Sequence, residues 1–216
     1  MKTLKIIIAA LCMTLAAGCT PKTQRDQTTQ STQQAEGENA VIENIMARRS
    51  IRKYKQTPVS RDTLDLIMKC GINAPNGQNR QSWEVRIVDD PTIMAEFKEA
   101  IAQGHPDMPA NSVKGCFRDA PVMVFIARDL SYDFSAYDCG LLAENIMLSA
   151  WSLGVGSICL GSPVRFLTDN DACRPVLEKL GFSAGYELCL CVGFGYADEA
   201  PAAKQRNPEK VKFAEP

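Results

Sequence analysis

The sequence predicts an α+β fold built around a single sheet. Segments with the spacing of amphipathic helices mix with apolar, strand-like segments, without the strict strand–helix repeat of a parallel α/β protein. The 216 residues, 45% of them hydrophobic, provide one substantial core but too little chain for two comfortable domains. We expect the folded domain to span residues 41–216.

Four segments have the marks of helices. Ser60 stands as a candidate N-cap before an apolar stripe. Pro91 and Gly104 bracket another helix, and Gly154 follows the longest and most apolar one as a stop signal. The four predicted helices cover residues 39–49, 60–72, 91–104 and 137–153.

Four other segments have the marks of strands. Residues 82–89 alternate between apolar and polar side chains, and residues 120–129 are almost continuously apolar, which indicates a strand buried on both faces. Residues 155–161 and 186–196 are predicted as two further core strands. The last residues, 204–216, are polar and predicted to be extended.

The N-terminus has the layout of a bacterial secretory signal. Lys2 and Lys5 precede an apolar run, too short for a good membrane-spanning helix, that ends in small residues before Cys19. "LAAGC" resembles a lipobox, although Leu15 lies one residue too far from the cysteine; the alternative is an ordinary cleaved signal in which Cys19 is incidental. We predict a signal peptide at 1–18, lipidation at Cys19 and a disordered tether at 19–40. The lipid would anchor the exported domain to the cell envelope, on the periplasmic side or the cell surface.

The cysteines give little sign of a disulfide or metal framework. Seven follow Cys19, and no two of them form a C-x-x-C pair. Cys189 and Cys191 are expected on one face of a strand, at a poor distance for bridging. With His105 as the only histidine, a zinc site has little support. We therefore predict buried free thiols and no metal.

Positive charge is concentrated in two short segments. Residues 48–55 hold five cations and no acid, whereas the whole chain has a formal net charge of −1. Lys204 and Arg206 form a second basic pair near the C-terminus. Near-neutrality argues against a dedicated nucleic-acid-binding protein, but local cations suit a single phosphate group.

The usual nucleotide and hydrolase motifs are missing from the sequence. Gly154, Gly156 and Gly161 follow a helix and surround a strand, which is not the order of a dinucleotide fingerprint. No P-loop is present, no serine has a glycine elbow, and a single histidine weakens any catalytic triad. The phosphate-bearing ligand therefore has to be held in another way.

Five segments, in order along residues 41–213, resemble the FMN-dependent nitroreductases. "RRSIRKY" resembles the family's basic opening, "APNGQNRQSWEV" its polar turn before a strand, and "DAPVMVFIA" its central strand. "DCGLLAENIMLSAWSLGVGSICLG" resembles the long dimer helix with the next strand, and "VGFGYADEAPAAKQRNP" the closing segment. Asn76 and Gly77 replace two serines of the family pattern, and Ser82 replaces a proline.

The resemblance implies a nitroreductase-like fold, in which helices flank a central, mostly antiparallel sheet. It also implies an intertwined homodimer with one FMN at each of two interface sites. The basic segments would hold the phosphate and ribityl chain, Arg52 would approach the flavin pyrimidine edge, and Gly161 would place its amide near flavin N5. The polar turn would come from the other subunit. The implied cofactor-binding residues are Arg48, Arg49, Ser50, Arg52, Pro75, Asn76, Gly77, Asn79, Gly161, Lys204 and Arg206.

The implied activity is two-electron transfer through flavin N5 to a small nitroaromatic, quinone or related acceptor, by a ping-pong mechanism without a catalytic side chain. NAD(P)H is one candidate electron donor. Export would separate the domain from the cytoplasmic nicotinamide pool, which favours a membrane quinol or a reduced partner protein instead. Two alternatives differ in class: an exported FMN-binding protein with little turnover, and a polybasic module for membranes or nucleic acid.

Overall fold

The computed structural model describes residues 39–215. The predicted signal peptide, the predicted lipidation site Cys19 and residues 20–38 of the predicted tether lie outside this range. The helices are α1 (Ala40–Ala47), α2 (Arg61–Ile72), α3 (Pro91–Gly104), α4 (Ala110–Lys114), α5 (Ser135–Ser152), α6 (Ser162–Thr168) and α7 (Arg174–Lys179). The strands are β1 (Trp83–Val88), β2 (Val122–Asp129), β3 (Gly156–Leu160) and β4 (Tyr186–Gly195).

The strands form one antiparallel sheet in the order β1-β2-β4-β3. The predicted α+β fold with a mostly antiparallel sheet is therefore confirmed. Residues 122–127 of β2 are all buried, as their continuous apolar character predicts. β1 is an edge strand, and its Ile87 keeps 37% of its surface exposed despite the alternating pattern.

Each face of the sheet carries its own apolar core. On one face, α3, α4, α6 and α7 cover a cluster that includes Phe97, Phe117 and Phe125. Phe125 stacks on Phe97 with 4.9 Å between the ring centroids. On the other face, α2 and α5 pack together over Val124 and other buried side chains. This second layer places α5 beside both the polar turn and the basic segment.

The local signals in the sequence set the helix ends. The Ser60 hydroxyl accepts a hydrogen bond from the Thr63 amide at 3.2 Å, which confirms Ser60 as the N-cap of α2. The structure gives α3 the predicted bounds, Pro91 to Gly104. Gly154 follows α5 with a φ of +73°, a left-handed conformation that glycine adopts without a steric penalty.

One prediction about the cysteines is wrong. Cys189 and Cys191 do not share a face, because the β2–β4 register shifts between Ile126 and Ala127. Cys189 is the extra residue of this bulge, and it packs on the α2 and α5 side, whereas Cys191 is buried on the opposite side. The cysteines of the described part are all free thiols: Cys70, Cys116, Cys139, Cys159, Cys173, Cys189 and Cys191.

The two ends of the described range expose apolar side chains. The predicted helix α1 is present but buries none of its residues, and Val41 and Met46 are 67% and 71% exposed. Near the other end, Val211 and Phe213 are 83% and 97% exposed. Residues 39–215 contain no helix that combines the length and the apolar character needed to cross a membrane.

Candidate functional site

The first basic segment lies between strand β3 and the segment that follows β4. Ser50 forms a parallel bridge with Ser157, and the Ile51 amide donates to the Ser157 carbonyl at 3.0 Å. On the other side, the Lys55 amide donates to the Tyr196 carbonyl at 2.9 Å. Main-chain bonds therefore fix the direction of the basic segment on both sides, as in a short sheet extension.

A buried tyrosine and a carboxylate strengthen this contact. Tyr54 pairs with Ala197 in an antiparallel bridge, and its hydroxyl donates to the Ile51 carbonyl at 2.7 Å. Glu199 accepts hydrogen bonds from the main-chain amides of Arg52 and Lys53. Burial raises the pKa of the Tyr54 phenol, and the Glu199 carboxylate raises it further. Glu199 thus ties the closing segment to the basic segment through backbone amides and not through the basic side chains.

These contacts bring the two basic segments to one cleft with a volume of about 390 Å³. Six of the predicted cofactor-binding residues line it: Arg48, Arg49, Ser50, Arg52, Lys204 and Arg206. Among the lining residues of the range 39–215, Glu144 of α5 is the only acid. The cleft therefore carries a net excess of positive charge, which suits an anionic group such as a phosphate.

Arg48 is the most informative of these cations. Its side chain is 21% exposed, and its buried Nε–H has no hydrogen-bond acceptor within residues 39–215. The Glu144 Oε1 atom lies 3.6 Å from that nitrogen, close enough for an ion pair but beyond good hydrogen-bond geometry. A buried guanidinium donor without an acceptor is costly, so an anionic ligand at this position would satisfy it.

The other arginines of the cleft make local main-chain contacts. Arg49 donates to the Met46 and Arg48 carbonyls at 2.7 and 2.9 Å, at the C-terminal end of α1, where cations are favoured. Arg52 donates to the Ser50 carbonyl at 3.0 Å. Each guanidinium has further N–H groups, so these bonds position the side chains without using all of their donors.

The predicted polar turn does not line this cleft within one chain. Pro75 and Asn79 are exposed, and Asn76 and Gly77 are half-buried, between α2 and β1. A Cβ on Gly77 would clash with the Tyr132 hydroxyl unless the tyrosine side chain shifted. The turn has its own network of hydrogen bonds, and it presents its polar groups to solvent.

Gly161 lies at the end of β3, immediately before α6. It is exposed, and no other atom lies within 4 Å of the position that a Cβ would take. Its backbone is therefore open to a ligand, but it is not part of the cleft lining. In the single chain, the structure brings together the phosphate-side residues and leaves the turn and Gly161 apart from them.

Three acids near these segments were not predicted from the sequence: Glu144, Glu199 and Asp138. Glu199 stands in "ADEAP", so an acid just before a basic pair was a visible signal. Glu144 and Asp138 lie on the apolar helix α5, and only the tertiary packing shows which segments they contact. Asp138 is 3% exposed and contacts the polar turn.

Comparison with known proteins agrees with the fold. A solved nitroreductase with bound FMN from Desulfitobacterium hafniense matches with a TM-score of 0.75 and 28% sequence identity. The match covers 83% of this chain and 100% of that chain. A nitroreductase with bound FMN from Bacteroides fragilis has a TM-score of 0.72 and 26% identity, over 82% and 100% of the two chains. The NADPH-flavin oxidoreductase of Vibrio harveyi is 28% identical over 180 residues, which are 80% of this chain and 72% of that protein.

The family itself follows from a match to most of the folded domain. Residues 45–196 match the family described as the Nitroreductase family. The match begins in the last turn of α1, includes the basic segment, the polar turn and the whole sheet, and ends where β4 leads into the closing segment. This chain belongs to the nitroreductase family.

Proposed function

We propose that this protein binds FMN with its phosphate in the basic cleft, and that it is an FMN-dependent oxidoreductase. The observation that carries the proposal is Arg48, whose buried Nε–H has no hydrogen-bond acceptor within residues 39–215 and whose side chain lines a cleft with an excess of cations, a setting that suits an anionic group. The relatives support it: two similar solved structures are nitroreductases with bound FMN, and one relative is an NADPH-flavin oxidoreductase.

Different side chains of the cleft would contact the phosphate and the ribityl chain. Arg48 and Arg206 offer planar, multi-donor groups to the phosphate, and Lys204 adds a point charge. Ser50 and Arg49 lie on the same cleft, where a hydroxyl and a guanidinium suit the ribityl hydroxyls. Glu144 competes with the phosphate for Arg48 and would lose this contact when the ligand binds.

FMN, when bound, supplies the atom N5, which accepts and releases a hydride. The chain's own task is orientation and electrostatics. Arg52, an exposed residue of the cleft lining, would supply a cation to the pyrimidine edge, where reduction adds negative charge. Gly161, which has open space at the position of a Cβ, would offer its main-chain amide to N5.

The acceptor class that we propose is a small nitroaromatic, a quinone or a related compound. Donor and acceptor occupy the same open face in turn, which is a ping-pong mechanism. This arrangement needs no nucleophilic side chain and no separate nucleotide fold, consistent with the absence of such motifs in the sequence. NADH and NADPH are candidate donors in vitro, and the name of the Vibrio harveyi relative supports NADPH.

The direct test is the spectrum of the purified protein followed by anaerobic titration. We expect a yellow protein with one FMN per chain, or binding of added FMN in that ratio, and bleaching of the flavin band by NADH or NADPH. Turnover with a quinone or a nitroaromatic distinguishes an enzyme from an FMN carrier. A colourless protein that does not bind added FMN would contradict the proposal.

We also propose a homodimer. Ile45 and Met46 of α1, together with Val211 and Phe213, expose apolar surface that a partner would cover. The polar turn does not line the cleft of its own chain, so one FMN contacts both only if the turn comes from a second subunit. A second copy of the chain satisfies both requirements. Sedimentation of the FMN-loaded protein measures this, and a monomer that retains FMN at low concentration would contradict it.

Within the turn, Asn79→Ala is expected to weaken FMN binding more than Gln81→Ala. Asn79 offers a donor and an acceptor to the flavin, and loss of such contacts costs about 0.5–1.5 kcal/mol each. The two residues have almost the same left-handed backbone, with φ of 54° and 49°, so backbone strain in the alanine variants is matched. Flavin fluorescence measures the affinity of each variant. Equal losses would mean that Asn79 has been assigned to the wrong position of the turn.

The cellular location is a separate proposal, and it rests on the sequence of the N-terminus. We propose export, lipidation at Cys19 and an electron donor other than the nicotinamide pool, such as a membrane quinol or a reduced partner protein. Cell fractionation with metabolic palmitate labelling, comparing the wild type with Cys19→Ala, tests it. We expect label in the envelope fraction for the wild type only; an unlabelled cytoplasmic protein with an intact N-terminus would refute export.

A further inference from the structure

The polar turn between α2 and β1 has an unusual backbone. Gln78, Asn79 and Gln81 have φ of 54°, 54° and 49°, in the left-handed region that side chains other than glycine rarely occupy. Three such residues within four positions require strong local constraints, because an unconstrained chain would relax to more favourable angles. The constraints must act on this turn from outside as well as within it.

One buried carboxylate holds both ends of the left-handed part. The Gly77 amide donates to Asp138 Oδ1 at 3.0 Å, and the Ser82 hydroxyl donates to Asp138 Oδ2 at 2.6 Å. Asp138 is 3% exposed and Ser82 is 1% exposed, so water does not compete for these bonds. Within the turn, the Gln81 amide donates to Asn76 Oδ1 at 2.9 Å. A single side chain therefore closes the segment 77–82 onto α5.

The surroundings of Asp138 agree with a role in holding the turn against α5. It lies in the first turn of α5, where the free amides and the helix dipole favour a negative charge. It forms no ion pair with any residue in the range 39–215, so its charge is balanced by hydrogen bonds. Its partner Ser82 stands where the family pattern has a proline, which has no hydroxyl to donate.

We infer that Asp138 is a positioning residue for the cofactor site: through Gly77 and Ser82 it sets the turn that contacts FMN in the opposite subunit. The inference rests on the proposed function for its ligand and on hydrogen bonds of this chain for its geometry. Asp138 is itself buried, so its proposed effect on the cofactor passes through the turn. One subunit's Asp138 thus determines how well its neighbour binds FMN.

The hydrogen bonds of Asp138 to Gly77 and Ser82, here called the clamp, are tested first without cofactor. In cofactor-free protein, hydrogen exchange of the peptide spanning residues 73–83 should accelerate in Asp138→Ala and stay near wild type in Asp133→Ala, which removes an exposed carboxylate ahead of α5. Unchanged exchange in Asp138→Ala would overturn the clamp, whatever the protein binds.

The second measurement is FMN affinity, together with the absorption band of the bound flavin. We expect Asp138→Ala to bind FMN at least about tenfold more weakly and to shift that band, because two buried hydrogen bonds to a charged group are lost. Asp138→Asn should recover most of the affinity, since its amide oxygen still accepts from Gly77 and its NH₂ group donates to the Ser82 hydroxyl. Met147→Ala, which truncates a buried side chain about two and a half turns further along α5, controls for general loss of stability. Equal losses in Met147→Ala and Asp138→Ala would reduce Asp138 to a structural residue and refute the inference.

A mixed dimer tests the action across the interface. One differently tagged chain carries Asp138→Ala, and the other carries Arg48→Ala with Arg206→Ala. If the turn serves the opposite subunit, one of the two sites has an intact phosphate side and an intact turn, so the mixed dimer binds one FMN with wild-type affinity. If Asp138 acts on its own subunit, neither site is intact, and absence of recovery overturns this part of the inference. Wild-type protein that binds no FMN would refute the proposed function instead, and hydrogen exchange would still decide the clamp.

Discussion

Replacing Arg48 and Arg206 together with alanine is expected to abolish retention of FMN during purification. Each lost charge-assisted hydrogen bond to the phosphate costs about 1.5–3 kcal/mol, so the pair costs roughly 3–6 kcal/mol, or about a hundredfold to ten-thousandfold in affinity. Arg48 contributes the larger share because it is the less exposed of the two and its Nε–H lacks an acceptor without the ligand. Equilibrium titration with FMN measures the loss.

The basic segment offers a matched control for this double variant. Lys53 and Lys55 are exposed cations of the same segment that do not line the cleft, so Lys53→Ala with Lys55→Ala removes the same charge. We expect this control to weaken FMN binding far less, and mostly at low salt, because distant exposed charges are screened. If both double variants lose affinity equally, general electrostatic attraction and not the cleft binds the phosphate. Full flavin occupancy in the arginine variant would exclude the assignment of the phosphate site.

The second large effect is expected on stability. Phe125 is fully buried in the central strand β2, stacks on Phe97 and meets Phe117 edge-on at 6.4 Å between centroids. Phe125→Ala should lower the free energy of unfolding by about 3–5 kcal/mol, the usual cost of deleting a buried aromatic ring and leaving a cavity. Ile87→Ala, on the edge strand with 37% exposure, should cost much less.

Chemical denaturation of cofactor-free protein, at one fixed protein concentration, measures both variants. The concentration must be fixed because association and FMN binding each add to the apparent stability. Similar losses for the two substitutions would mean that the aromatic cluster is not the centre of the core. A loss in Phe125→Ala that FMN partly restores is expected, since a ligand that binds only the folded state shifts the equilibrium toward it.

The sequence predicted those features of the fold that depend on nearby residues. The cap at Ser60, the bounds of α3 and the stop at Gly154 all follow from interactions within one helical turn. The buried strand β2 followed from composition alone. The bulge at Cys189 did not, because a bulge is a property of pairing with β2 and leaves the apolar pattern of β4 intact.

The sequence predicted the charged residues of the candidate site but not the residues that hold the polar turn in place. The cations of residues 48–52 and 204–206 stand out in the sequence, and the structure brings them to one cleft. Asp138 looked like an ordinary helix residue, since its contact with Gly77 joins positions 61 residues apart. The left-handed angles of Gln78, Asn79 and Gln81 were also hidden, because a polar turn without glycine at those positions gives no local signal for them.

The bridge between Tyr54 and Ala197 has a consequence for the order of events during biogenesis. The cleft needs residues 48–55 and residues 196–206 in contact, so a growing chain cannot form it until residues 196–206 have emerged. Because contacts between such distant residues carry a loop-closure entropy, we expect them to form late in folding. If FMN binds in this cleft as proposed, its binding follows folding, and the flavin colour would mark only those molecules in which the two basic segments have met.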